Sequence, residues 1–310
     1  MSVLIAGATG LAGSAIARAF IARGEDVVGV NRSVVDLMDL DATRKFLKTK
    51  SPKLVVDAAA KVGGIGANNS KPVEFLSDNL RIQSNLMQAS FEADVEKFVF
   101  LGSSCIYPRD CAQPIKEEYL MTGPLEETNS AYAIAKIAGI EMVNSYRKEH
   151  GSRWISLMPT NLYGPGDNFN LQDSHVLPAL IRRFVEAEAA GLSEVTLWGS
   201  GTPLREFLHV DDLASAVVLA SEKYDKSEHL NVGTGHDLSI KDLAELIAKA
   251  AGFKGDIRWD SSKPDGTPRK VLDVSRISTL GWQPTITLPE GIKRTIEWYK
   301  TAAEKGEARL

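Results

Sequence analysis

The feature that most limits what this chain can become lies at its start. Val3-Leu4-Ile5-Ala6 is a short apolar, β-branched run that predicts a buried strand. Gly7-Ala8-Thr9-Gly10-Leu11-Ala12-Gly13 follows at once, and an apolar-periodic stretch to about Arg23 predicts a helix. In a G-x-x-G-x-x-G turn the backbone can approach a pyrophosphate, whose charge the free N–H groups of the helix's first turn favour. Such glycines also serve simply to pack a helix on a strand. Set between a strand and a helix, they predict a dinucleotide site over Gly7–Gly13 and an open parallel sheet.

The second strand, Asp26–Val30, ends in Asn31-Arg32-Ser33. An NAD site usually places an acid there for the ribose 2′-hydroxyl, whereas a neutral residue followed by Arg32 suits the 2′-phosphate of NADP. The alternative for Arg32 is a solvated loop residue. Leu54–Ala60 predicts a third strand, Lys61–Gly66 a flexible turn beside the cofactor, and Val73–Ala93 a helix. With the next strand, beginning at Phe98, the order is βαβαβαβ, the pattern of a doubly wound, Rossmann-type α/β sheet.

Chemistry gathers after that fourth strand. Phe98-Val-Phe-Leu-Gly-Ser-Ser-Cys-Ile-Tyr-Pro108 places Ser103, Ser104 and Cys105 at the strand's carboxyl end, the edge where open parallel sheets hold ligands. Tyr132 and Lys136 then stand at i,i+4 on a helix that Asn129 or Ser130 would cap and Gly151 would close. A hydroxyl beside a Tyr–Lys pair suggests ketone reduction. Cys105 suggests a second reaction, or else is a small buried hydrophobe.

Trp154–Met158 is another strand, followed by Pro159-Thr-Asn-Leu-Tyr-Gly-Pro-Gly166. Composition then shifts to a polar loop, 167–174, leading to His175 and a helix from about Pro178 that carries Arg182 and Arg183. Val195–Trp198 predicts a strand, Gly199-Ser-Gly-Thr-Pro-Leu-Arg205-Glu-Phe207 follows it, and His209–Asp212 predicts the opening of a helix. A basic, Pro-rich loop runs Lys263–Lys270. We expect a dinucleotide-binding domain over 1–166, with 207–236 returning to it, and a substrate domain from 167–206 and 237–310.

At 310 residues the chain can bury a full core, and its net charge of −4 argues against a broad basic surface for nucleic acid or anionic membrane. Two cysteines, Cys105 and Cys111, cannot build a disulfide framework and fit a reducing compartment. No apolar run is long enough to span a bilayer, and a strand beginning at Val3 leaves no room for a signal peptide, so the expected location is the cytoplasm. No Cys/His cluster has metal-ligand spacing.

Together these blocks resemble the extended short-chain dehydrogenase/reductases, and within them the group that epimerises and reduces GDP-4-keto-6-deoxyhexoses. The resemblance rests on Ala59–Ile65, Leu101–Pro108, Tyr132–Gly139, Met158–Pro165, Trp198–Pro203, Arg205–Asp212 and Lys263–Lys270. Tyr-x-x-x-Lys marks only the superfamily, while Ser-Ser-Cys with Asn-Ser-His in this order is more specific. The glycine turn departs at Thr9, where the group often has a basic residue.

The resemblance implies NADPH-dependent conversion of GDP-4-keto-6-deoxy-D-mannose to GDP-L-fucose, by 3,5-epimerisation and then 4-keto reduction. In that reading Cys105 and His175 exchange protons on opposite faces of the sugar, Ser103 and Tyr132 hold the oxyanion at O4, and Lys136 acts on Tyr132 and the nicotinamide ribose. The cofactor would also meet Leu101, Gly102, Ser103, Pro159, Asn161, Leu162 and His175. Arg183, Trp198, Arg205, Asp265 and Lys270 would take the GDP-sugar, and a homodimer would form through the helices around 73–93 and 131–149. Read without the resemblance, Arg183 is a solvated helix residue, Trp198 a core aromatic and His175 an ordinary loop histidine. Alternatives are a colitose-type relative that inverts C5 only, a sugar 4-epimerase holding NAD, and a non-catalytic NADP-binding protein of the same fold.

Overall fold

The computed structural model describes residues 1–263 and 265–310; Pro264, in the basic loop, lies outside the described residues. The chain opens with β1 (Ser2–Ala6), α1 (Leu11–Ala22), β2 (Asp26–Val30), α2 (Leu40–Lys50) and β3 (Leu54–Asp57). A short α3 (Ile65–Ser70) and a long α4 (Pro72–Glu92) lead to β4 (Lys97–Leu101), then α5 (Ser130–His150) and β5 (Ile155–Pro159). The second half runs β6 (Asn161–Tyr163), α6 (Val176–Ala189), β7 (Glu194–Trp198), β8 (Leu204–His209), α7 (Val210–Lys223) and β9 (Leu230–Val232). It ends with β10 (Asp237–Ser239), α8 (Ile240–Ala251), β11 (Asp256–Asp260), β12 (Arg269–Lys270), α9 (Ser275–Ser278) and α10 (Leu288–Glu304).

Six parallel strands form the main sheet in the order β2-β1-β3-β4-β5-β9. Both faces are covered, so the strands read as continuous apolar runs rather than alternating ones. Side-chain alternation still divides them. Val3, Ile5, Leu54, Val56 and Val99 pack with Ile16 and Phe20 of α1 and Leu213 and Val217 of α7. Leu4, Val55, Phe98 and Phe100 pack with Leu86 and Met87 of α4 and Ile140 and Val143 of α5. Strand order reverses between β1 and β3, which opens a crevice at their carboxyl ends. This is the expected doubly wound Rossmann-type sheet.

A third core joins α6, α8, α10 and β7 through Leu177, Ile181, Phe184, Val195, Ile247 and Ile296. Between the cores, β8 pairs with β6, β10 and β12. Glu206 on β8 is fully buried, and its carboxylate accepts the amides of Thr234 (2.6 Å), Gly235 (2.7 Å) and Leu272 (2.9 Å). Those bonds tie three separate stretches to one strand and leave the neighbouring Arg205 side chain to the opposite face. Among the described residues no helix is long and apolar enough to cross a membrane.

Several expectations change. β3 stops at Asp57 rather than Ala60, because its partner β1 ends at Ala6, opposite Asp57. The Lys61–Gly66 turn gives way to α3, whose Asn68 amide donates to the carbonyls of Gly63 (2.7 Å) and Gly64 (3.1 Å). α5 has no side-chain cap from Asn129 or Ser130: a 3-10 turn over Glu127–Asn129 runs straight into it, leaving Asn129 Oδ1 buried without a partner. Gly151 closes that helix in the left-handed conformation, as expected. α6 starts at Val176, ahead of Pro178, which is tolerated because amides of the first helical turn have no intrahelical partner. Arg205 lies in β8, a strand that crosses the boundary expected at 207.

Candidate active site

The carboxyl ends of β1 to β5 supply the site. Gly7 has φ of +78°, and a Cβ on Gly13 would stand 2.2 Å from the Gly7 carbonyl oxygen, so α1 lies directly against the turn. Gly10 is the N-cap of α1 and offers no side chain, so the amides of Leu11, Ala12 and Gly13 have no intrahelical partner. Ala8 and Thr9 form the rest of that rim. At the end of β2, Asn31 Oδ1 accepts the amides of Ser33 (2.9 Å) and Val34 (3.2 Å), a local turn that leaves Arg32 exposed beside the crevice. Bare amides and an exposed guanidinium at a topological switch point fit a phosphorylated dinucleotide.

After β4, Leu101 and Gly102 are buried, and a Cβ on Gly102 would collide with the Met158 thioether at 2.3 Å. Ser103 is extended and caps a 3-10 turn over Ser104–Ile106, its hydroxyl accepting the Cys105 amide at 3.3 Å. Cys105 is half-buried and Cys111 likewise, and neither is in a disulfide. Tyr107 anchors the turn from below, donating to Asn231 Oδ1 at 2.5 Å.

Tyr132 and Lys136 face this turn from α5. Lys136 is 3% exposed and donates from Nζ to the Leu101 carbonyl at 2.8 Å, lying 4.8 Å from the Phe100 ring centre and 5.9 Å from that of Tyr132. Burial pulls Lys136 down to about 8, opposed by the charge of Asp57. The Tyr132 ring meets Phe75 edge-on at 6.3 Å. Burial raises its phenol well above the ordinary range, Cys105 adds to the rise, and the Ser103 hydroxyl opposes it. Ser103, Cys105, Tyr132 and Lys136 thus form one cluster.

His175 stands on another wall. It is the N-cap residue of α6, solvent-accessible but flanked by enough protein that desolvation lowers its pKa. Its loop is held by Gly64, whose amide donates to the Asp173 carbonyl at 2.8 Å. A Cβ on Gly64 would stand 2.6 Å from the Ser174 carbonyl oxygen. Among the described residues no hydrogen bond or ion pair joins His175 or the half-buried Arg183 to the Cys105 cluster; Arg182 beside it bonds Glu186 and the Phe169 carbonyl.

The third wall carries charge. Burial lowers the pKa of Arg205, against the opposing influence of Cys105, Asp265 and Glu126. Trp198 is 69% exposed, not a core aromatic, with Lys263 Nζ 5.8 Å from its ring centre. Asp265 spends both oxygens on Ser200, accepting its amide (2.9 Å) and hydroxyl (2.6 Å), and so is tied to the turn after Trp198. A narrow cavity of about 30 Å³ runs from Cys105 to Arg109, Glu126, Thr267, Arg269 and Lys270. On the cofactor side, Pro159 ends β5, the Asn161 amide donates to the Glu206 carbonyl at 2.8 Å, and Leu162 is half-buried beside it. His209 accepts the Asp211 amide as the N-cap of α7, a structural bond.

Sequence reasoning missed Asp57, Arg109, Glu126 and Arg269. Asp57 alone carried a signal, a charge closing an otherwise apolar strand.

A family model described as the NAD dependent epimerase/dehydratase family matches residues 3–233. The chain belongs to that family. Members similar to it include a probable GDP-L-fucose synthase 1 from Oryza sativa subsp. japonica, 53% identical over 96% of this chain and 91% of the relative. The GDP-L-fucose synthase of Escherichia coli (strain K12) is 50% identical over 96% of each chain. Among solved structures of the family, a GDP-L-fucose synthetase from Naegleria fowleri bound to NADP superposes with a TM-score of 0.92 at 30% identity, covering all of this chain and 96% of that one.

Proposed function

We propose that this member of the family converts GDP-4-keto-6-deoxy-D-mannose to GDP-L-fucose, inverting C3 and C5 and then reducing the C4 ketone. The observation that carries the reading is the meeting of the Cys105 thiol with the Ser103 and Tyr132 hydroxyls and Lys136 at one strand end. Epimerisation and reduction both place negative charge on O4, so one pair of hydroxyls serves both.

NADPH, when bound, supplies the hydride for C4. The Leu11–Gly13 amides would hold its pyrophosphate, Arg32 its 2′-phosphate, and Lys136 its nicotinamide ribose, beside Leu101, Gly102, Pro159, Asn161 and Leu162. Cys105 removes the acidic proton next to the ketone, and His175 returns one from the other face. Desolvation lowers the His175 pKa, which makes its protonated form the stronger acid. Tyr132 protonates the C4 alkoxide, and the Lys136 charge draws the phenol pKa back down. Trp198 offers an exposed ring to the base or sugar, while Arg183, Arg205 and Lys270 offer positive charge to the diphosphate. Asp265 acts by holding the Trp198 turn.

In this proposal 1–166 and 207–236 carry the cofactor and 167–206 and 237–310 the GDP-sugar. We also propose a cytoplasmic homodimer through α4 and α5, on which Val73, Phe91 and Ile134 expose apolar surface. A monomer mass by light scattering would refute the dimer.

The test is incubation in D2O with NADPH and GDP-4-keto-6-deoxy-D-mannose, reading the product by NMR. Deuterium at C3 and C5 of a reduced L-sugar is the expected result. Reduction without exchange would remove the roles of Cys105 and His175. Exchange at C5 alone would point to a colitose-type enzyme.

A further inference from the structure

Beneath the Tyr132–Lys136 pair lies a carboxylate that the chemistry above does not use. Asp57 closes β3 and is 1% exposed. One of its oxygens accepts the Ala59 amide at 3.2 Å, and the other, Oδ2, is buried with no hydrogen-bond partner. Strand alternation sends Val55 and Asp57 to the sheet face covered by α4 and α5, opposite to Leu54 and Val56. In the β3–β4 register Asp57 stands beside Phe100, the ring over which Lys136 Nζ lies, and the next carbonyl, Leu101, accepts from that ammonium.

A carboxylate this deep stays ionised only beside an opposite charge. Its strand neighbours, Ala6 and Phe100, are uncharged. From α4 come the neutral amides of Asn79 and Gln83, which bond the backbone of Lys61 and Ala135. From α5 come Tyr132 and Lys136. Among the described residues Lys136 is the one charge that bears on Asp57, and Asp57 the one that bears on Lys136.

We infer that Asp57 is a positioning residue for Lys136, keeping its ammonium charged and aimed past Leu101 at Tyr132 and the cofactor ribose. This rests on the reading of Lys136 given above. Burial pushes Asp57 up to about 6 and pulls Lys136 down to about 8, each opposed by the other, so both are charged at neutral pH. Without the carboxylate the lysine gives up its proton at lower pH.

The test is Asp57→Asn, with Asp57→Leu as the second variant should the first fail to fold. NADPH affinity, read by nicotinamide fluorescence without turnover, and the 4-reduction rate are each followed from about pH 6 to about pH 9.5, a range that brackets the lysine's titration. We expect the basic limb of both to move down by about one pH unit, the effect of losing a nearby opposite charge. The curves converge with the native ones near pH 6, where Asp57 itself takes up a proton. Superimposable basic limbs overturn the inference, and so does a uniform loss at every pH, the mark of a merely structural role. Lys136→Met separates the two readings. Native affinity and rate in that variant would remove the role of Lys136, and that of Asp57 with it. Loss in Lys136→Met with an unshifted Asp57→Asn would remove Asp57 alone.

Discussion

Replacing Glu206 with leucine removes a carboxylate from a site with no solvent access and strands the amides of Thr234, Gly235 and Leu272. A buried donor left unmade costs about 1–3 kcal/mol, so three cost roughly 3–9 kcal/mol before relaxation. Part returns, because burial already disfavours the ionised form of this group. We expect a net loss of about 3–5 kcal/mol, a large share of the ~5–15 kcal/mol that holds a folded chain together. Glu206→Gln is the graded control. Oε1 accepts from Thr234 and Gly235 and Oε2 from Leu272, so a glutamine carbonyl keeps two bonds and its NH2 confronts the Leu272 amide. One donor pair left unmade predicts about 2–3 kcal/mol. Equilibrium urea unfolding, followed by tryptophan fluorescence, should rank native above Gln above Leu. With about 2.1 cal/mol/K of unfolding entropy per residue and 310 residues, each kcal/mol lowers Tm by roughly 1.5 °C. A leucine variant within about 0.5 kcal/mol of native, the size of an ordinary surface effect, would refute the reasoning and mean that these amides find other partners.

Other outcomes follow from the same geometry. Gly13→Ala drives a Cβ into the Gly7 carbonyl and should weaken NADPH binding at least tenfold, measurable by fluorescence titration. Tyr132→Phe should cut C4 reduction by about 10²–10⁴ and slow deuterium exchange at C3 and C5 by a smaller factor, because Ser103 still holds O4, whereas Cys105→Ser should lose exchange; equal losses of both steps in both variants would contradict the division of roles. In the NADPH-free protein, Asp57 binds its proton more tightly folded (about 6) than unfolded (~3.9). Its contribution to stability is therefore full below the unfolded value and falls as pH rises through about 6, a loss of order 2–3 kcal/mol. Asp57→Asn should flatten that slope in pH-dependent urea melts. Trp198→Ala should raise KM for the GDP-sugar several-fold with kcat nearly unchanged, and an equal fall in kcat would argue against a pure binding role.

The sequence alone determined the glycine turn, the run of buried strands and the Tyr132–Lys136 spacing. These are local: a turn that needs glycine, strands covered on both faces and an i,i+4 pair announce themselves within a few residues. The same locality explains its errors. A strand's end depends on its partner, so β3 stopped where β1 ran out. A cap depends on the turn before it, so Asn129 lost its expected bond to a 3-10 turn.

Tertiary structure decided everything that joins distant segments. Whether Trp198 was core or platform turned on what packs above it, and nothing near it in the chain could say. Glu206 reads as one more charge in Arg-Glu-Phe until three remote amides converge on it. Asp57 faces Lys136 only because β3 lies beside β4 in one register and α5 crosses that face; a one-residue slip would send the carboxylate to the α1 side and leave the lysine without its counter-charge.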